Sequence, residues 1–479
     1  MAEPTPPLEG WVAVVLAAGR GTRMRSRLPK PLHPVAGVPM IDLVCDTVRA
    51  AGILDVVVVT ASADDEVARH LAATAGGPRV VVQSEPLGTG HAVLAAREAV
   101  DAASKVLIVN ADLPLLSSAT LRALAMEHEM WGSTLTFLTA LLDEPTGYGR
   151  VVRDYSGGRG VVAVVEERDA DESTRALHEI NVGLYAVDAA WLWSALEAIE
   201  PSSHGERYLT DIVARAIDGG AAVETHAVGD EREVQQVNTR VDLAKAEALL
   251  RDRVRERLML AGVTLLDPAS TFIDATVEVG EDTTLLPGVH LLGNTRVGCG
   301  CRIGPNAVLH DMVIGDGCEI GGSTLEGSSV GDRVTVGPYC HVRPGSTIEA
   351  DVHLGNYAEV KASRIGARTA VGHFSYIGDA DIGADVNIGA GTVTVNYDGE
   401  LKHRTRVGDG AFIGSDSLLV APVEVGARAR TAAGSVVTRD VEADTLVLGV
   451  PARPRGADGG SERTGAGSGQ APRPGSGQA

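Results

Sequence analysis

The dominant pattern of the chain is a six-residue repeat that fills its C-terminal part, from about Val263 to Val450. A branched apolar residue followed by a small residue recurs at this spacing, as in Val336-Gly337, Leu354-Gly355 and Ile365-Gly366. This period fits neither an α-helix nor an alternating strand, but it fits coils of three short parallel strands. The apolar side chains would point inward, and the small residues would let the chain turn at the corners. We therefore predict a left-handed parallel β-helix.

The N-terminal part alternates between short apolar runs and amphipathic segments, which predicts a doubly wound α/β sheet. Its first strand, Trp11–Leu16, is a continuous apolar run typical of a buried parallel strand. Further strands are expected at 56–60, 79–82 and 106–109, and helices at 40–51, 64–74 and 90–102. Polar residues follow the strands at Gly19–Arg23, Gln83–Thr89 and Asn110–Asp112, at the edge where such sheets bind ligands.

A charged stretch with leucines at helical spacing, Thr239–Gly262, is predicted to be a linker helix between the two patterns. The expected organisation is therefore an α/β domain over residues 11–238, the linker helix over 239–262 and the β-helix over 263–452. Residues 1–10 and the Gly-, Ser- and Pro-rich residues 453–479 are predicted to be disordered.

Charge and cysteine content narrow the functional classes. The formal net charge of −21 leaves no basic surface for nucleic acid or anionic lipid. No apolar stretch is long enough to span a bilayer and no signal peptide is recognisable, so we expect a cytoplasmic protein. The odd count of five cysteines favours reduced thiols. Cys299 and Cys301 lie too close together to form a good metal site alone, and we interpret them as small apolar fillers.

A glycine-rich turn follows the first strand, in the segment Ala17–Met24. Backbone N–H groups in such a turn can surround an anion. The spacing is neither that of a P-loop nor that of the dinucleotide fingerprint. Arg23 and Lys30 add two cations beside the turn, a combination that suits a polyphosphate.

Asp112 follows directly after a predicted strand, where a carboxylate can hold Mg²⁺ beside a nucleotide phosphate. An aspartate in an Asp-x-Pro context can equally be a helix N-cap or a turn residue, and both interpretations stay open. Glu166, Asn181 and Asn238 lie near strand-like runs, and each alone would be interpreted as a surface residue.

One region of the repeat is crowded with polar residues that can stack on one side of the coil. They are Arg343, Glu359, Lys361, His373, Tyr376, Asn387, Asn396 and Tyr397. Arg343 and Lys361 suit a phosphate, His373 is a natural proton acceptor, and Glu359 could orient it. A single histidine on a coil is ordinarily a surface residue, so the hypothesis depends on the cluster. The repeat is interrupted from Val395 to about Arg406, and such loops commonly contribute to a binding face.

With these motifs in place, the chain closely resembles the bacterial bifunctional N-acetylglucosamine-1-phosphate uridyltransferase and glucosamine-1-phosphate N-acetyltransferase family. The resemblance extends from about Val12 to Val441 and is specific because motifs from both halves occur together. In the first half these are Leu16–Met24, Leu28-Pro29-Lys30, Leu87–His91, Thr146–Arg150, Glu179-Ile180-Asn181 and Tyr208–Asp211. In the second half they are Leu354-Gly355-Asn356, Gly372-His373, Tyr376–Asp379, Asn387–Gly391, Asn396–Gly399 and Gly414-Ser415-Asp416.

For the N-terminal half, the resemblance implies a Rossmann-like nucleotidyltransferase that transfers UMP from UTP to N-acetylglucosamine 1-phosphate and releases pyrophosphate. Asp112 and Asn238 would hold Mg²⁺, and Arg23 and Lys30 would stabilise charge on the phosphates. The residues implied in nucleotide and sugar binding are Leu16, Ala17, Ala18, Gly19, Lys30, Gln83, Gly88, Thr89, Gly149, Glu166, Asn181 and Asn238.

For the C-terminal half, the resemblance implies the preceding step, in which glucosamine 1-phosphate is acetylated by acetyl-CoA and His373 takes the amine proton. Arg343, Lys361, Tyr376 and Asn387 would bind the sugar phosphate. The residues implied at the acetyl-CoA site are Ala390, Asn396, Tyr397, Ser415 and Ala433. The resemblance also implies a homotrimer through the β-helix and a role in peptidoglycan and envelope polysaccharide synthesis.

The chain departs from the family pattern at Asn110-Ala111-Asp112, where a glycine usually precedes the aspartate, so the added methyl group could crowd a substrate. Two alternatives stay open. One is a single-activity sugar-1-phosphate nucleotidyltransferase whose β-helix only trimerises and regulates, against which stand His373 and its polar neighbours. The other is a non-catalytic assembly subunit, against which stand the intact residues Arg23, Lys30, Asp112 and Asn238.

Overall fold

The computed structural model describes residues 6–19, 21–74, 76–100, 103–154, 160–202 and 205–455. The chain divides into two compact units. The first comprises Met1–Leu260 with Phe272–Val277, and the second comprises Ala261–Thr271 with Glu278–Ala479. Within the described ranges, no helix is long and apolar enough to cross a membrane.

The first unit contains a nine-stranded mixed sheet in the order β11-β7-β10-β6-β1-β4-β5, in which β8 pairs with β10 and β9. A separate hairpin is formed by β2 and β3. The strands are β1 (Trp11–Leu16), β2 (Pro34–Val35), β3 (Val38–Pro39), β4 (Asp55–Thr60), β5 (Arg79–Val82), β6 (Lys105–Asn110), β7 (Leu135–Leu141), β8 (Gly149–Asp154), β9 (Gly160–Val165), β10 (Glu179–Asp188) and β11 (Val223–Ala227). The helices are α1 (Met40–Ala50), α2 (Glu66–Ala73), α3 (Thr89–Ala95), α4 (Arg97–Val100), α5 (Ser118–Trp131), α6 (Glu172–Arg175), α7 (Ala189–Glu197), α8 (Asp211–Asp218) and α9 (Arg240–Leu260).

The central strand β1 explains the layered packing of this sheet. It pairs in parallel with β4 on one side and with β6 on the other. Its side chains alternate between two core clusters: Ala13 and Val15 belong to one, and Val12 and Val14 to the other. Helices therefore cover both faces, and the expected doubly wound α/β fold is confirmed. The sequence did not predict that β10 would run antiparallel to both β6 and β7.

Helix α9 belongs to the first unit by its contacts. It begins after Thr239, whose hydroxyl accepts a hydrogen bond from the backbone N–H of Asp242. The Asp242 carboxylate in turn accepts one from the Thr239 N–H at 2.8 Å, which completes a capping box. Ala246 is fully buried in a cluster with Met24 and Met40. The predicted linker helix is therefore packed against the N-terminal unit along its apolar stripe.

The two predicted disordered ends lie mostly outside the described residues, which exclude 1–5 and 456–479. At the inner edge of each range, the described residues make backbone hydrogen bonds. The Leu8 N–H donates to the Gly52 carbonyl at 2.9 Å. The strand Ala452–Pro454 pairs antiparallel with Leu446–Gly449. The described residues thus place Leu8 by a hydrogen bond to Gly52, and Arg453 and Pro454 in a strand, in the inner parts of the two ranges that the sequence predicts to be disordered.

The second unit consists of short strands stacked in three columns, and neighbouring strands run parallel except for the antiparallel pair β41 and β42 at the end of the first column. The first column contains β12 (Thr264–Leu265), β15 (Thr284–Leu285), β18 (Arg302–Ile303), β21 (Glu319–Ile320), β24 (Thr335–Val336), β27 (His353–Leu354), β30 (Ala370–Val371), β33 (Asn387–Ile388), β36 (Phe412–Ile413), β39 (Arg430–Thr431), β41 (Leu446–Gly449) and β42 (Ala452–Pro454). The second contains β16 (His290–Leu292), β19 (Val308–His310), β22 (Thr324–Glu326), β25 (His341–Val342), β28 (Glu359–Lys361), β31 (Tyr376–Gly378), β34 (Val393–Val395), β37 (Leu418–Val420) and β40 (Val436–Val437). The third contains β14 (Glu278–Val279), β17 (Arg296–Val297), β20 (Val313–Ile314), β23 (Ser329–Val330), β26 (Thr347–Ile348), β29 (Arg364–Ile365), β32 (Ala380–Ile382), β35 (Thr405–Val407) and β38 (Val423–Val425).

The repeat residues fill the interior of this second unit. Val342, Ile348 and Leu354 are each buried, and they come from three successive strands around the coil, β25, β26 and β27. Each strand pairs with the strand one coil further along the chain, as Leu354 does with Val371. The left-handed parallel β-helix predicted from the six-residue period is confirmed.

The cysteines are reduced, as expected, but one interpretation of them was wrong. Cys301 is buried, and its thiol donates to the Gly315 carbonyl at 3.2 Å. Cys299 is exposed and therefore fills no space in the core. A two-residue separation across a corner of the coil turns one side chain inward and the other outward, which the spacing alone did not reveal.

The buried histidine His128 predicts a pH dependence of stability. It has no exposed surface, its Nδ1 lies 3.0 Å from the Thr136 hydroxyl, and its ring packs edge-on against Trp11. Burial lowers the pKa of His128, although the charge of Asp188 opposes this shift. Below a pH of about 6.5 the unfolded chain takes up a proton that the folded chain refuses, so stability is present above that pH and falls as pH falls.

We therefore expect His128→Gln to weaken the dependence of the melting temperature on pH between about pH 7.5 and 5.5. Some dependence should persist, because burial also lowers the pKa of His33, with the charge of Arg240 acting in the same direction. The measurement is thermal unfolding of both proteins across this range. Parallel pH profiles would show that His128 is not responsible.

Candidate functional site

A large cleft opens at the carboxyl ends of β1 and β6 in the first unit. It has a volume of about 940 Å³. A smaller compartment of about 130 Å³ shares Thr89, Asn110, Gly147, Glu166 and Gln236 with it. The cleft is lined by most of the residues that the sequence assigned to the nucleotide, including Leu16, Ala17, Ala18, Gly19, Arg23, Lys30, Gln83, Gly88, Thr89, Asp112 and Asn238. Gly149, Glu166 and Asn181 line the smaller compartment, and Glu166 lines both.

The backbone of two loops forms one wall of the cleft. The loop after β1 continues the sheet, because the Ala17 N–H donates to the Val59 carbonyl at 2.9 Å. In the second loop Gly88 has a φ of +102°, and a Cβ there would lie 2.5 Å from the Arg207 carbonyl oxygen. Only glycine fits this close approach. The Gln83 side chain donates to the Gly88 carbonyl at 3.0 Å and so braces this second loop from within.

Four polar side chains meet in the cleft. The Lys30 ammonium lies 2.5 Å from Asp112 Oδ2 and 2.8 Å from Asn238 Oδ1. Arg23 donates to the same Asn238 oxygen at 2.9 Å. The backbone brings Asn238 to this position, because the Val237 N–H donates to the Asp112 carbonyl at 3.0 Å. Residues far apart in the sequence therefore meet as the predicted phosphate and metal roles require.

The donor set fits a magnesium ion that is completed by substrate. Asp112 Oδ1 is buried and has no hydrogen-bond partner among the described residues. No group of three or more His, Cys, Asp or Glu side chains in the described part of the chain is arranged to hold a metal. One carboxylate and one amide oxygen match Mg²⁺, which usually keeps several waters and binds substrate phosphates.

The smaller compartment is lined by side chains that are already held in position. The Thr210 hydroxyl donates to Glu166 Oε1 at 2.9 Å, and burial raises the pKa of Glu166. The Gly147 N–H donates to Glu167, whose carboxylate also pairs with the buried Arg150 at 2.9 Å. Glu167 therefore holds the loop that leads to Gly149 in place.

In the second unit, four of the predicted acetyl-transfer residues lie on one corner of the coil: His373, Ala390, Ser415 and Ala433. His373 is one coil beyond Asn356, since the Phe374 N–H donates to the Asn356 carbonyl at 3.1 Å. Tyr376 pairs with Val393 on the next coil. His373 and Ala390 lie three residues before these two partners, so Ala390 is one coil beyond His373. The Asp416 and Gly434 N–H groups donate to the Ala390 and Ser415 carbonyls. Asn356, His373, Ala390, Ser415 and Ala433 consequently form one column.

The expectation that Glu359 orients His373 was wrong within the chain. Glu359 pairs with Arg343 at 3.1 Å, whereas His373 Nδ1 lies 2.8 Å from Asn356 Oδ1. An amide oxygen can only accept, so the hydrogen bond requires the proton on Nδ1 and leaves Nε2 with its lone pair. Asn356 thus determines which nitrogen can act as a base. Asn356 belongs to the motif Leu354-Gly355-Asn356, and this motif was the sequence signal that could have pointed to its role.

A second polar network surrounds Lys361. Its ammonium pairs with Asp379 at 3.0 Å, and this hydrogen bond raises the pKa of Lys361. The Asn396 amide donates to Asp379 and lies 3.4 Å from the Tyr376 hydroxyl. Tyr376, Lys361 and Asn396 are thereby brought together as predicted, with Asp379 as a member that the sequence did not single out.

Other members of the predicted set lie apart from this network. Asn387 is on the first strand column, where it pairs with Ala370 and Phe412. Tyr397 is exposed in the inserted loop, and its hydroxyl donates to the Gly399 carbonyl. Lys402, in the same loop, was missed by the sequence analysis. The proximity of Lys361 lowers the pKa of Lys402, because two like charges repel, and Lys402 adds a third basic side chain near Lys361 and Arg343.

Comparison with known proteins identifies the family. Residues 13–200 match MobA-like NTP transferase domains. Residues 327–362 match the bacterial transferase hexapeptide and residues 404–439 the hexapeptide repeat of succinyl-transferase. The Bifunctional protein GlmU of Heliobacterium modesticaldum is 48% identical over 440 residues, which cover 91% of this chain and 94% of that protein. The chain belongs to the bifunctional GlmU family.

Two further relatives carry the same name. The Bifunctional protein GlmU of Trichlorobacter lovleyi is 46% identical over 91% of this chain and 95% of that protein, and that of Streptomyces avermitilis is 45% identical with 91% coverage of both. A solved chain from Bacillus anthracis, described as a glucose-1-phosphate thymidylyltransferase, has a TM-score of 0.44 at 19% identity over 50% of this chain and 96% of that one.

Membership in this family confirms the function that the two sets of motifs implied. The chain is a transferase with two activities, which acetylates glucosamine 1-phosphate and then uridylylates the product to give UDP-N-acetylglucosamine. The alternatives of a single-activity enzyme and of a non-catalytic subunit are not supported. The role of each individual residue stays a prediction.

Proposed function

We propose that uridylyl transfer takes place in the cleft of the first unit and that Arg23, Lys30, Asp112 and Asn238 carry its charge stabilisation. A sugar phosphate oxygen attacks the α-phosphorus of UTP, and pyrophosphate leaves. Little covalent work is required of the protein, so positioning and charge neutralisation dominate. The observation that carries the proposal is the 2.5 Å contact between Lys30 and Asp112 beside the anion-binding loop.

In this proposal Asp112 and Asn238 hold Mg²⁺, which when bound would neutralise charge on the triphosphate. The unpartnered Asp112 Oδ1 supports the assignment. Lys30 already contacts both residues, so it is held within reach of the phosphates that would occupy the cleft. Glu166, Asn181 and Gly149 bind the sugar in the smaller compartment.

Acetyl transfer is proposed to take place at His373 on the corner of the β-helix. The amine of glucosamine 1-phosphate attacks the thioester carbonyl of acetyl-CoA, His373 Nε2 takes the amine proton, and the CoA thiolate leaves. Asn356 holds the required tautomer through its hydrogen bond to Nδ1. Arg343, Lys361 and Tyr376 would bind the sugar phosphate, with Lys402 as an additional cation. Ala390, Ser415 and Ala433 would receive acetyl-CoA along the same column.

A homotrimer through the β-helix is part of this proposal. Tyr339, Tyr357 and Phe374 are exposed and stack in one column, with ring centroids 5.3 Å and 5.2 Å apart. Large apolar side chains exposed together are typical of an interaction surface. Phe374 directly follows His373, so packing of a second copy there would also enclose the acetyl-transfer site. Light scattering should give a mass near three times the 49.6 kDa of one chain, and a monomer mass would contradict this point.

The test of both assignments is one assay with two readouts. Purified protein is mixed with glucosamine 1-phosphate, acetyl-CoA, UTP and Mg²⁺, and free CoA and pyrophosphate are followed separately. We expect CoA to appear first and pyrophosphate to depend on it. Supplying N-acetylglucosamine 1-phosphate should restore pyrophosphate release without acetyl-CoA. If CoA never forms while pyrophosphate does, the assignment of acetyl transfer to the β-helix fails.

A further inference from the structure

Strand β10 is distorted where it passes the smaller compartment. Its register against β7 aligns Asn181 with Thr139 and Tyr185 with Phe137. Four residue positions along β10 therefore span the same length as two along β7, so β10 contains a bulge of two extra residues. Gly183 within the bulge has a φ of +83°, and a Cβ there would lie 2.7 Å from the Asn110 side-chain nitrogen. The distortion therefore requires glycine at this position.

The bulge brings together two side chains that a regular strand would separate. Residues four apart on an extended strand are about 13 Å apart along it. Here the Asn181 side-chain amide donates to the Tyr185 hydroxyl at 2.6 Å. The other end of that amide accepts from the Gly183 N–H at 3.1 Å. Both ends of the Asn181 carboxamide are thus held, and its orientation in the compartment is determined.

Tyr185 is itself rigidly placed. It is fully buried, its ring packs against Phe137 at a centroid distance of 6.1 Å, and it lines the smaller compartment. Burial raises the pKa of Tyr185, so the phenol stays protonated. Because the neutral hydroxyl accepts a hydrogen bond from Asn181, the nitrogen of the Asn181 amide faces Tyr185. The remaining donor and acceptor sites of this amide are then left for a ligand.

We propose that Tyr185 is a positioning residue for the sugar phosphate, acting through Asn181. The proposal rests on the assignment of the smaller compartment to the sugar and adds a residue to which the sequence motifs gave no role. Loss of the Tyr185 hydroxyl frees the Asn181 amide to rotate, so that it no longer presents one fixed pattern of donor and acceptor. The consequence is weaker recognition of the sugar phosphate with unchanged recognition of UTP.

The test is Tyr185→Phe, which removes a single oxygen from the full-length enzyme. We expect KM for N-acetylglucosamine 1-phosphate to rise about three- to tenfold, the scale of one lost hydrogen bond, while KM for UTP stays the same. Acetyl transfer, measured as CoA release on the same samples, should not change. The double variant Tyr185→Phe/Asn181→Ala should have the same KM as Asn181→Ala alone, because the tyrosine acts through the asparagine.

Phe137→Leu is the matched control, because it loosens the packing of the Tyr185 ring and leaves the Asn181 hydrogen bond in place. An unchanged KM in Tyr185→Phe would overturn the proposal. So would a Phe137→Leu enzyme with the same rise in KM at an equal loss of melting temperature, or additive effects in the double variant. An Asn181→Ala enzyme with an unchanged KM for N-acetylglucosamine 1-phosphate would instead refute the assignment of the smaller compartment to the sugar, which distinguishes that failure from a failure of the role of Tyr185.

Discussion

Replacing His373 with alanine is expected to stop acetyl transfer and to leave uridylyl transfer intact. The side chain is exposed on the corner of the β-helix, and its Nδ1 is held by Asn356. Loss of a positioned general base typically lowers the rate by about 10²- to 10⁴-fold. CoA release should therefore fall by that factor, while pyrophosphate release from N-acetylglucosamine 1-phosphate stays at the wild-type rate.

Two further variants sharpen this prediction. His353→Ala removes another histidine of the β-helix, one that is bonded to the Thr335 hydroxyl, and it should have little effect on either activity. Asn356→Ala should lower CoA release less than His373→Ala does, because the base survives and only its tautomer is no longer enforced. Normal CoA release by His373→Ala would eliminate this histidine as the base.

The β-helix could be predicted from the sequence because its period is a direct consequence of its geometry. Each coil needs inward apolar residues at fixed spacing, and Val342, Leu354 and Ile365 satisfy that need without help from distant residues. The functional site on the surface of the β-helix was harder to predict from the sequence. Which side chains meet across coils depends on register and on single corner residues. The polar cluster suggested that Glu359 could orient His373, yet within the chain Glu359 pairs with Arg343.

The cleft of the first unit was predictable for a related reason. Parallel strands present their carboxyl ends at one edge, so the loops after β1 and β6 had to converge. The hydrophobic pattern alone gave Asn238 no place beside them, and only the family resemblance assigned it there. A backbone hydrogen bond from the neighbouring Val237 N–H to the Asp112 carbonyl brings it to the cleft. The bulge in β10 was also beyond pattern analysis, since a glycine in a strand indicates a bulge but not its size.

The largest expected effect on uridylyl transfer comes from Asp112→Asn. This change keeps the shape of the side chain but removes the charge that would attract a divalent cation. It also removes the carboxylate that holds the Lys30 ammonium at 2.5 Å. The cation site therefore loses its charged ligand, and Lys30 is no longer held in position. We expect pyrophosphate release to fall by at least about a hundredfold, with CoA release unchanged.

Asp55→Asn provides the matched control for this variant. It makes the same chemical change in the same unit, at a half-exposed aspartate that pairs with Arg79 away from the cleft, and it should leave both activities intact. A thermal shift with UTP and Mg²⁺ separates binding from chemistry, because ligand binding to the folded state raises the melting temperature. Wild type and Asp55→Asn should be stabilised and Asp112→Asn much less. If Asp112→Asn retains full pyrophosphate release, Asp112 is only a turn residue and the metal must be held elsewhere.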